Sequence, residues 1–407
     1  MDLIPLPKDK LSLGMSLRFT LRDESGAVLL AKGNRIETAQ QLAGIKSRNK
    51  IFIEMEESDD AVRIMMSGLS KLDLAGGPIK DFSKYLSVDK QNGEEEKLVG
   101  TLVQRWSDVE SKLGGLLAST DSNSGFAQKI RQLEGHFNTL MAEDASAAQF
   151  LLFNRAVTHF NGYSVLHSLL CASLSHSLAS VFALSNEERS SLVCAAMTMN
   201  AAMTALQDEL AIQKNAPSVG QRSTIDAHAR AGRQMLENAG ITDPLWLETV
   251  ALHHTPMEGS DSIAEWTPVN RLTKILQTVD RYTAAMSPRK SRAGRTARDS
   301  VKTVIVQPGT TKHDEVGSAL VRILGLCPTG TYVKLGNGET AVVLRRGLKP
   351  AEPLVASVLN RNDEPIAEPR LRDVAREQMP IQATLAATNV RVNLKLDAML
   401  RMMPKHA

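Results

Sequence analysis

A chain of 407 residues is long enough for two or three domains, each with its own hydrophobic core. Hydrophobic residues make up 43% of it and charged residues 23%, which is ordinary for a globular protein. The net charge of +3 is too small to indicate binding to a nucleic-acid polymer or to a membrane surface.

Residues 1–55 are predicted to form a small β-rich module. The run 16–22 alternates apolar and polar side chains, and an apolar strand at 27–30 follows a turn. A short helix at 36–45 and a closing strand at 51–53 complete the module. Because no apolar signal segment precedes these residues, we expect a cytoplasmic protein.

Residues 56–93 are predicted to be a linker, since they are loosely patterned and contain a strong Gly-Gly-Pro breaker at 76–78. Residues 94–150 are predicted to form accessory helices, because apolar side chains recur there at three- and four-residue spacing. Such helices either pack on their own domain or form a homodimer interface, and the pattern leaves both possibilities open.

The helical pattern continues after residue 150. The most apolar stretch, 166–184, is interrupted by two histidines and five serines, so it predicts a buried helix and not a membrane span. Ser185 is a predicted N-cap, with Glu188 completing a capping box. Three further helices are predicted at 225–238, 245–254 and 269–285.

The pattern changes again after about residue 304. Strands at 332–335 and 340–344 around a Gly-Asn-Gly turn predict a β-hairpin, and 354–359 predicts a third strand. The expected fold class is therefore α+β and mainly α. It combines an all-helical domain with a small N-terminal β-rich module and a C-terminal β-hairpin extension.

The three cysteines lie far apart in apolar surroundings and form no CxxC pair. This spacing predicts free, buried thiols in a reducing compartment, not a disulfide framework. The three are Cys171, Cys194 and Cys327.

Several potential metal ligands fall on different predicted helices. His253 and His254 end one helix, His228 begins another, and His167 and Asp280 lie within two more. Imidazoles and a carboxylate from separate helices can form an interior site for a divalent cation. The alternative is a set of hydrogen-bonded core residues, since adjacent side chains on a helix do not face the same way.

Five ordered segments between about residues 150 and 345 together resemble the HD-GYP domain, the branch of the HD phosphohydrolases associated with cyclic di-GMP hydrolysis. They are similar, in order, to its Tyr-xxx-His-Ser helix, its His-Pro-xx-Gly helix start, its tandem histidines, its Asp-xx-Asp-Ala segment followed by two arginines, and its closing Pro-x-Gly-Thr strand. The matching segments are 163–168, 225–232, 252–254, 280–284 with Arg289 and Arg292, and 327–335.

The departures from this pattern are equally specific. The His-Asp pair that names the family falls on Met199 and Asn200, the family's lysine falls on Met203, and the Gly-Tyr-Pro element is missing. In the family the Asp bridges two metal ions. A neutral Asn amide cannot offset the repulsion between two cations, and a Met thioether is a poor ligand for Fe, Mn or Mg. The resemblance therefore implies that residues 151–345 are a degenerate HD-GYP-like domain without catalytic residues, followed by an extension at 346–407.

The expected function is that of a non-catalytic regulator in cyclic di-GMP-related signalling. Its partners would be signalling proteins such as a diguanylate cyclase, or cyclic di-GMP itself, whose phosphates Arg289 and Arg292 are suited to bind. The alternative is a residual metal-dependent phosphohydrolase. It would hold one divalent ion (Fe, Mn or Mg) on the surviving donors, which are His167, His228, His253, His254 and Asp280.

Overall fold

The computed structural model divides the chain into two compact units, Met1–Val99 and Gly100–Ala407. The predicted linker at 56–93 lies outside the described residues. The residues described are 3–6, 8, 11, 17, 20–23, 28–30, 36, 39–48, 50–54, 98–120, 125–159, 162–257, 259, 262–305, 313–349 and 351–404.

The first unit contains one antiparallel sheet and one helix, which confirms the predicted β-rich module. The strand order in the sheet is β1-β4-β2-β3. Its apolar core is formed by Leu11, Leu17, Leu21, Ile36, Ile45 and Ile51. The elements are β1 (Leu3–Leu6), β2 (Leu21–Arg22), β3 (Val28–Leu30), α1 (Ala39–Lys46) and β4 (Ile51–Glu54).

The second unit is mainly helical, as the fold class predicted. Several of its helices begin at a polar side chain that caps the first turn, and the predicted capping box of Ser185 and Glu188 is present. The helices are α2 (Leu102–Leu117), α3 (Phe126–Thr158), α4 (Tyr163–Val181), α5 (Asn186–Thr198), α6 (Thr204–Ile212), α7 (Val219–Asn238), α8 (Pro244–Leu252), α9 (Pro268–Met286), α10 (Ala297–Ile305), α11 (Glu315–Leu324) and α12 (Leu396–Met402).

The apolar helix α4 forms the centre of this unit and packs against α3, α5 and α9. In the part of the chain that the structure describes, it is the one helix long and apolar enough to cross a membrane, and 78% of it is buried in the fold. Its serines and histidines lie on a core helix, as the sequence indicated.

Helix α3 runs across the predicted boundary at residue 150. It bends at Asp144, whose backbone is non-helical (φ −161°, ψ 93°). The Asp144 carboxylate accepts a hydrogen bond from the backbone N–H of Ala147 at 2.9 Å and pairs with Arg345. The accessory helices and the following domain therefore share one bent helix, because Asp144 caps the second segment where it begins.

The second unit ends in a five-stranded antiparallel sheet of order β8-β7-β6-β5-β9. The predicted hairpin is present as β5 and β6, and the predicted third strand as β7. The predicted boundary at residue 345 falls between two paired strands, so much of the extension at 346–407 is part of this sheet. The strands are β5 (Tyr332–Leu335), β6 (Thr340–Arg345), β7 (Leu354–Leu359), β8 (Pro365–Asp373) and β9 (Ile381–Leu385).

Gly330 fixes this sheet to α3. Its φ of +80° is left-handed, and an added Cβ would lie 2.5 Å from the carbonyl oxygen of Phe150. Asn154 donates to the Gly330 carbonyl oxygen at 3.3 Å and contacts the Tyr332 hydroxyl at 3.3 Å. The segment 327–335 therefore needs glycine here for a close backbone approach.

Candidate metal-binding site

The tandem histidines lie where helix α8 ends. Asp243 caps its first turn, and the Trp246 indole donates to the Thr198 hydroxyl at 2.8 Å, which ties α8 to α5. The helix stops at Leu252, so His253 and His254 stand in the turn that follows. Their ring centroids are 4.2 Å apart. Adjacent side chains diverge on a regular helix, but the rings of these two residues lie close together in this turn.

His228, on α7, completes a three-histidine group with this turn. Its ring centroid lies 5.0 Å from each of the other two rings, and the potential ligand atoms of all three lie within 4.8 Å of one another. Gln277 of α9 holds the turn by donating to the carbonyl oxygens of Leu252 (3.2 Å) and Thr255 (2.6 Å). Three helices therefore position the group.

Two of these imidazoles have a fixed tautomer. Nδ1 of His228 lies 2.5 Å from the Ile225 carbonyl oxygen, and Nδ1 of His253 lies 2.6 Å from that of Val250. A carbonyl oxygen only accepts, so both Nδ1 atoms carry the proton. The two Nε2 atoms then face each other at 3.1 Å as unprotonated lone pairs. Such a pair is favourable when a cation lies beside it.

Burial favours the neutral form of His253 and His228. It lowers the pKa of His253 to about 3, with the positive charge of His254 acting in the same direction. Burial likewise lowers the pKa of His228. Neutral imidazole is the form that binds metal ions, so the group meets the chemical requirement for a divalent cation near neutral pH.

His167, Cys171 and Asp280 form a second group. Nε2 of His167 lies 2.8 Å from a carboxylate oxygen of Asp280 and 3.7 Å from the sulfur of Cys171. Burial opposes ionisation of Asp280, but the hydrogen bond and charge of His167 hold its pKa well below the usual value. Burial also opposes protonation of His167, yet the charge of Cys171 and the hydrogen bond to Asp280 raise its pKa well above 6.5. His167 and Asp280 therefore form a buried ion pair.

Asp280 links the two groups electrostatically. Its negative charge opposes the effect of burial on the pKa of His253 and of His228. The structure thus brings the five predicted donors into one region, but as two groups and not as one shell.

The predicted phosphate ligand Arg289 lies beside the second group. Its guanidinium carbon is 5.0 Å from the centroid of the Tyr163 ring, and it donates to the Tyr163 hydroxyl at 3.1 Å. The Tyr163 ring stacks on His167, with centroids 5.7 Å apart. Arg292 instead donates to the carbonyl oxygen of Ala284, near the end of α9.

Arg289 and Arg292 belong to one tight turn, closed by two backbone hydrogen bonds of 2.9 Å. Burial lowers the pKa of Arg292, and the charges of Arg289 and Arg295 lower it further. Positive charges held this close together favour an anion between or beside them.

Met199 lies next to α7, the helix that carries His228, and Asn200 follows it in the chain. Both are buried, with exposures of 0% and 5%. Gly232 stands one turn after His228, and a Cβ there would lie 3.6 Å from the Met199 carbonyl oxygen. The predicted position of the family's His-Asp pair therefore packs against the helix that carries His228, and neither residue there offers a carboxylate.

A cavity of about 530 Å³ lies between α2, α4 and residues 201–208. Small and apolar side chains of α2, α4 and residues 201–208 line it, and its polar groups include Ser164 and Asp208. Asp208 accepts hydrogen bonds from the backbone N–H (2.7 Å) and the hydroxyl (2.9 Å) of Ser164. The cavity is next in sequence to Tyr163 and Asn200, and it has the size of a small-ligand pocket.

Two residues of this site are not predicted from the sequence. The sequence pattern predicts Cys171 only as a buried free thiol, which it is, but its sulfur also faces His167. Its position four residues after His167 on one helix is the available signal, because such residues are neighbours on a helix surface. Tyr163 belongs to a matching motif but has no predicted role.

The chain is similar to a solved structure in fold but matches no family profile. No known family profile and no curated protein matches the sequence. Among solved structures, the chain is similar to Bd1817, described as an HDG"Y"P protein from Bdellovibrio bacteriovorus. The identity is 12% and the TM-score 0.44, over 79% of this chain and 99% of that one. Fold and site define a mainly helical protein with a histidine-rich candidate metal site.

Proposed function

We propose that this chain is a non-catalytic, HD-GYP-like regulator in cyclic di-GMP-related signalling. The proposal rests on one observation: the two candidate ligand groups contain few carboxylates. Among the described residues of the two ligand groups, Asp280 is the one carboxylate. Met199 and Asn200 occupy the position where the resembled family has its bridging Asp.

The surviving donors still fit one cation. The facing Nε2 atoms of His228 and His253, with His254 beside them, would hold it. A divalent ion there would act as a Lewis acid towards a phosphate oxygen. The protein's own part is to lower the pKa of His228 and His253 through burial and to fix their Nδ1 protons on backbone carbonyls.

Phosphate recognition is the binding role that this site supports. In the turn that carries Arg289 and Arg292, the Arg289 guanidinium contacts Tyr163, whose ring stacks on His167. Guanidinium groups bind phosphate oxygens without a metal, so a nucleotide can be bound here without being hydrolysed. The proposed partner of the ligand-bound chain is a signalling protein such as a diguanylate cyclase.

The first experiment is turnover of cyclic di-GMP by the purified chain, under anaerobic conditions, with Fe(II) and then Mn(II) supplied. We expect no linear product and no GMP beside an active HD-GYP enzyme run in parallel. Metal-dependent hydrolysis would overturn the non-catalytic assignment.

A residual phosphohydrolase is the second candidate, and the facing pair of unprotonated Nε2 atoms favours it. The same turnover assay separates the two functions, since His253→Ala would abolish any hydrolysis that depends on this group.

The affinity of the chain for cyclic di-GMP tests whether the arginine turn recognises this nucleotide. We expect Arg289→Ala to weaken cyclic di-GMP binding at least about tenfold, the loss of one charge-assisted contact. Arg376→Ala is the matched control, because the Arg376 side chain is 88% exposed and far along the chain from the site. Equal affinities for both variants and the wild type would exclude nucleotide recognition by this turn.

A further inference from the structure

His167, Cys171 and Asp280 have the spacing of ligands around a single small ion. A tetrahedral zinc with bonds of about 2.05 Å to nitrogen and about 2.3 Å to sulfur separates those two atoms by about 3.6 Å. The observed separation of His167 Nε2 from Cys171 Sγ is 3.7 Å. The Asp280 oxygen, at 2.8 Å from the same nitrogen, needs to move out by about 0.6 Å to reach the corresponding separation of about 3.4 Å.

The donor set differs in kind from the three-histidine group. It offers one sulfur, one nitrogen and one oxygen, which suits zinc, whereas Mg and Mn prefer oxygen ligands. We infer that His167, Cys171 and Asp280 form a second metal site that selects Zn²⁺. Three protein ligands leave the fourth tetrahedral position open to water or to an anionic ligand.

The charges balance when zinc binds. The Cys171 thiol loses its proton, and His167 loses the proton it shares with Asp280. The two positive charges of the ion are then offset by one thiolate and one carboxylate, so a buried site of zero net charge results. The Asp280 side chain is 15% exposed and that of His167 2%, so the ion enters from the Asp280 side.

A Cys-His-Asp hydrolytic triad is excluded by the same geometry. In such a triad the nucleophile and the carboxylate contact opposite nitrogens of the imidazole. Here Cys171 and Asp280 both lie on Nε2 of His167, and Nδ1 is buried with no hydrogen-bond partner among the described residues. The imidazole therefore has no second nitrogen with which to activate the thiol.

Cobalt substitution provides the test. The purified full chain is stripped with a chelator and given one equivalent of Co²⁺, a spectroscopic substitute for zinc. We expect a sulfur-to-cobalt charge-transfer band in the near ultraviolet, its loss in Cys171→Ser, and its retention in Cys194→Ser. Cys194 is the matched control because it is equally buried, at 0% exposure, and contacts Arg131 instead of a histidine.

Two further measurements distinguish zinc at this site from zinc at the three-histidine group. His253→Ala should keep the band, because the three-histidine group is not involved. Zinc absorption fine structure of the wild type should contain one sulfur at about 2.3 Å, a result that needs no variant to fold. Zn²⁺ affinity should fall more than about 100-fold in Cys171→Ser, since loss of outer partners alone costs about 10- to 100-fold.

Absence of the sulfur band and of sulfur in the zinc spectrum of the wild type would overturn the inference, as would an undiminished band in Cys171→Ser. Neither readout uses cyclic di-GMP. A chain that hydrolyses this nucleotide would refute the proposed function and leave the zinc site untouched, so the two failures are distinguishable.

Discussion

Acid is expected to destabilise the helical unit through His253. Its side chain is 1% exposed, and burial lowers its pKa from 6.5 to about 3. Between these two values the unfolded chain binds a proton at residue 253 that the folded chain does not. The free energy of unfolding therefore falls as the pH falls, with a slope that approaches about 1.4 kcal/mol per pH unit, and the total loss from pH 6.5 to 4.5 is about 2.3 kcal/mol. This contribution is fully present above pH 6.5.

The assay is urea unfolding followed by far-ultraviolet circular dichroism, with a chelator present, at several pH values from 7 to 4.5. His253→Gln removes the titrating ring and keeps a polar side chain, so its pH dependence should be shallower than that of the wild type by about 1.4 kcal/mol per unit. His313→Gln is the control, because His313 is exposed. Identical slopes for wild type and His253→Gln would refute the claim that this imidazole is buried and neutral.

Three further changes test the packing that supports the site, each by thermal or urea unfolding. Lys274→Met leaves the Asp314 carboxylate, which is 0% exposed, without its charge partner. The change should lower the free energy of unfolding by about 3–5 kcal/mol, and an unchanged stability would mean that this carboxylate is solvated. Gly330→Ala forces a Cβ to within 2.5 Å of the Phe150 carbonyl oxygen at a φ of +80°, and should cost more than about 1 kcal/mol. Gly115→Ala, in an exposed helical position with nothing within 4 Å, should instead stabilise by about 0.5–1 kcal/mol, and a loss there would contradict the local geometry.

The helix cap and the hairpin of this protein could be predicted because each depends on residues that are close together in sequence. The Ser185 capping box needs only a hydroxyl and, three residues on, a carboxylate. The β5–β6 hairpin depends on a glycine-rich turn whose Gly338 takes a φ of +84°. The apolar composition of the run at 166–184 predicts a core helix, and residues 166–175 of α4 are buried.

The predicted divisions at residues 150 and 345 did not coincide with the packing. Whether a helix ends or bends at Asp144 depends on Arg345, a partner 201 residues away that pairs with its carboxylate. Whether residues 354–359 form a separate extension depends on which strand they pair with. Hydrophobic periodicity predicts neither the ion pair nor the strand pairing, because both join residues that are far apart in sequence.

Features of the candidate site also fall into those that the sequence predicts and those that depend on tertiary structure. The sequence by itself determined which residue types are present: five donors on different helices, and Met199 and Asn200 where the resembled family has His and Asp. Tertiary structure alone decided that α8 ends before His253, that the Nε2 atoms of His228 and His253 face each other, and that Cys171 joins His167 and Asp280 in a separate group. The physical reason is that metal ligation depends on separations of a few ångströms between atoms. Those separations are fixed by where helices stop and how they pack, and the order of residues along one helix does not encode them.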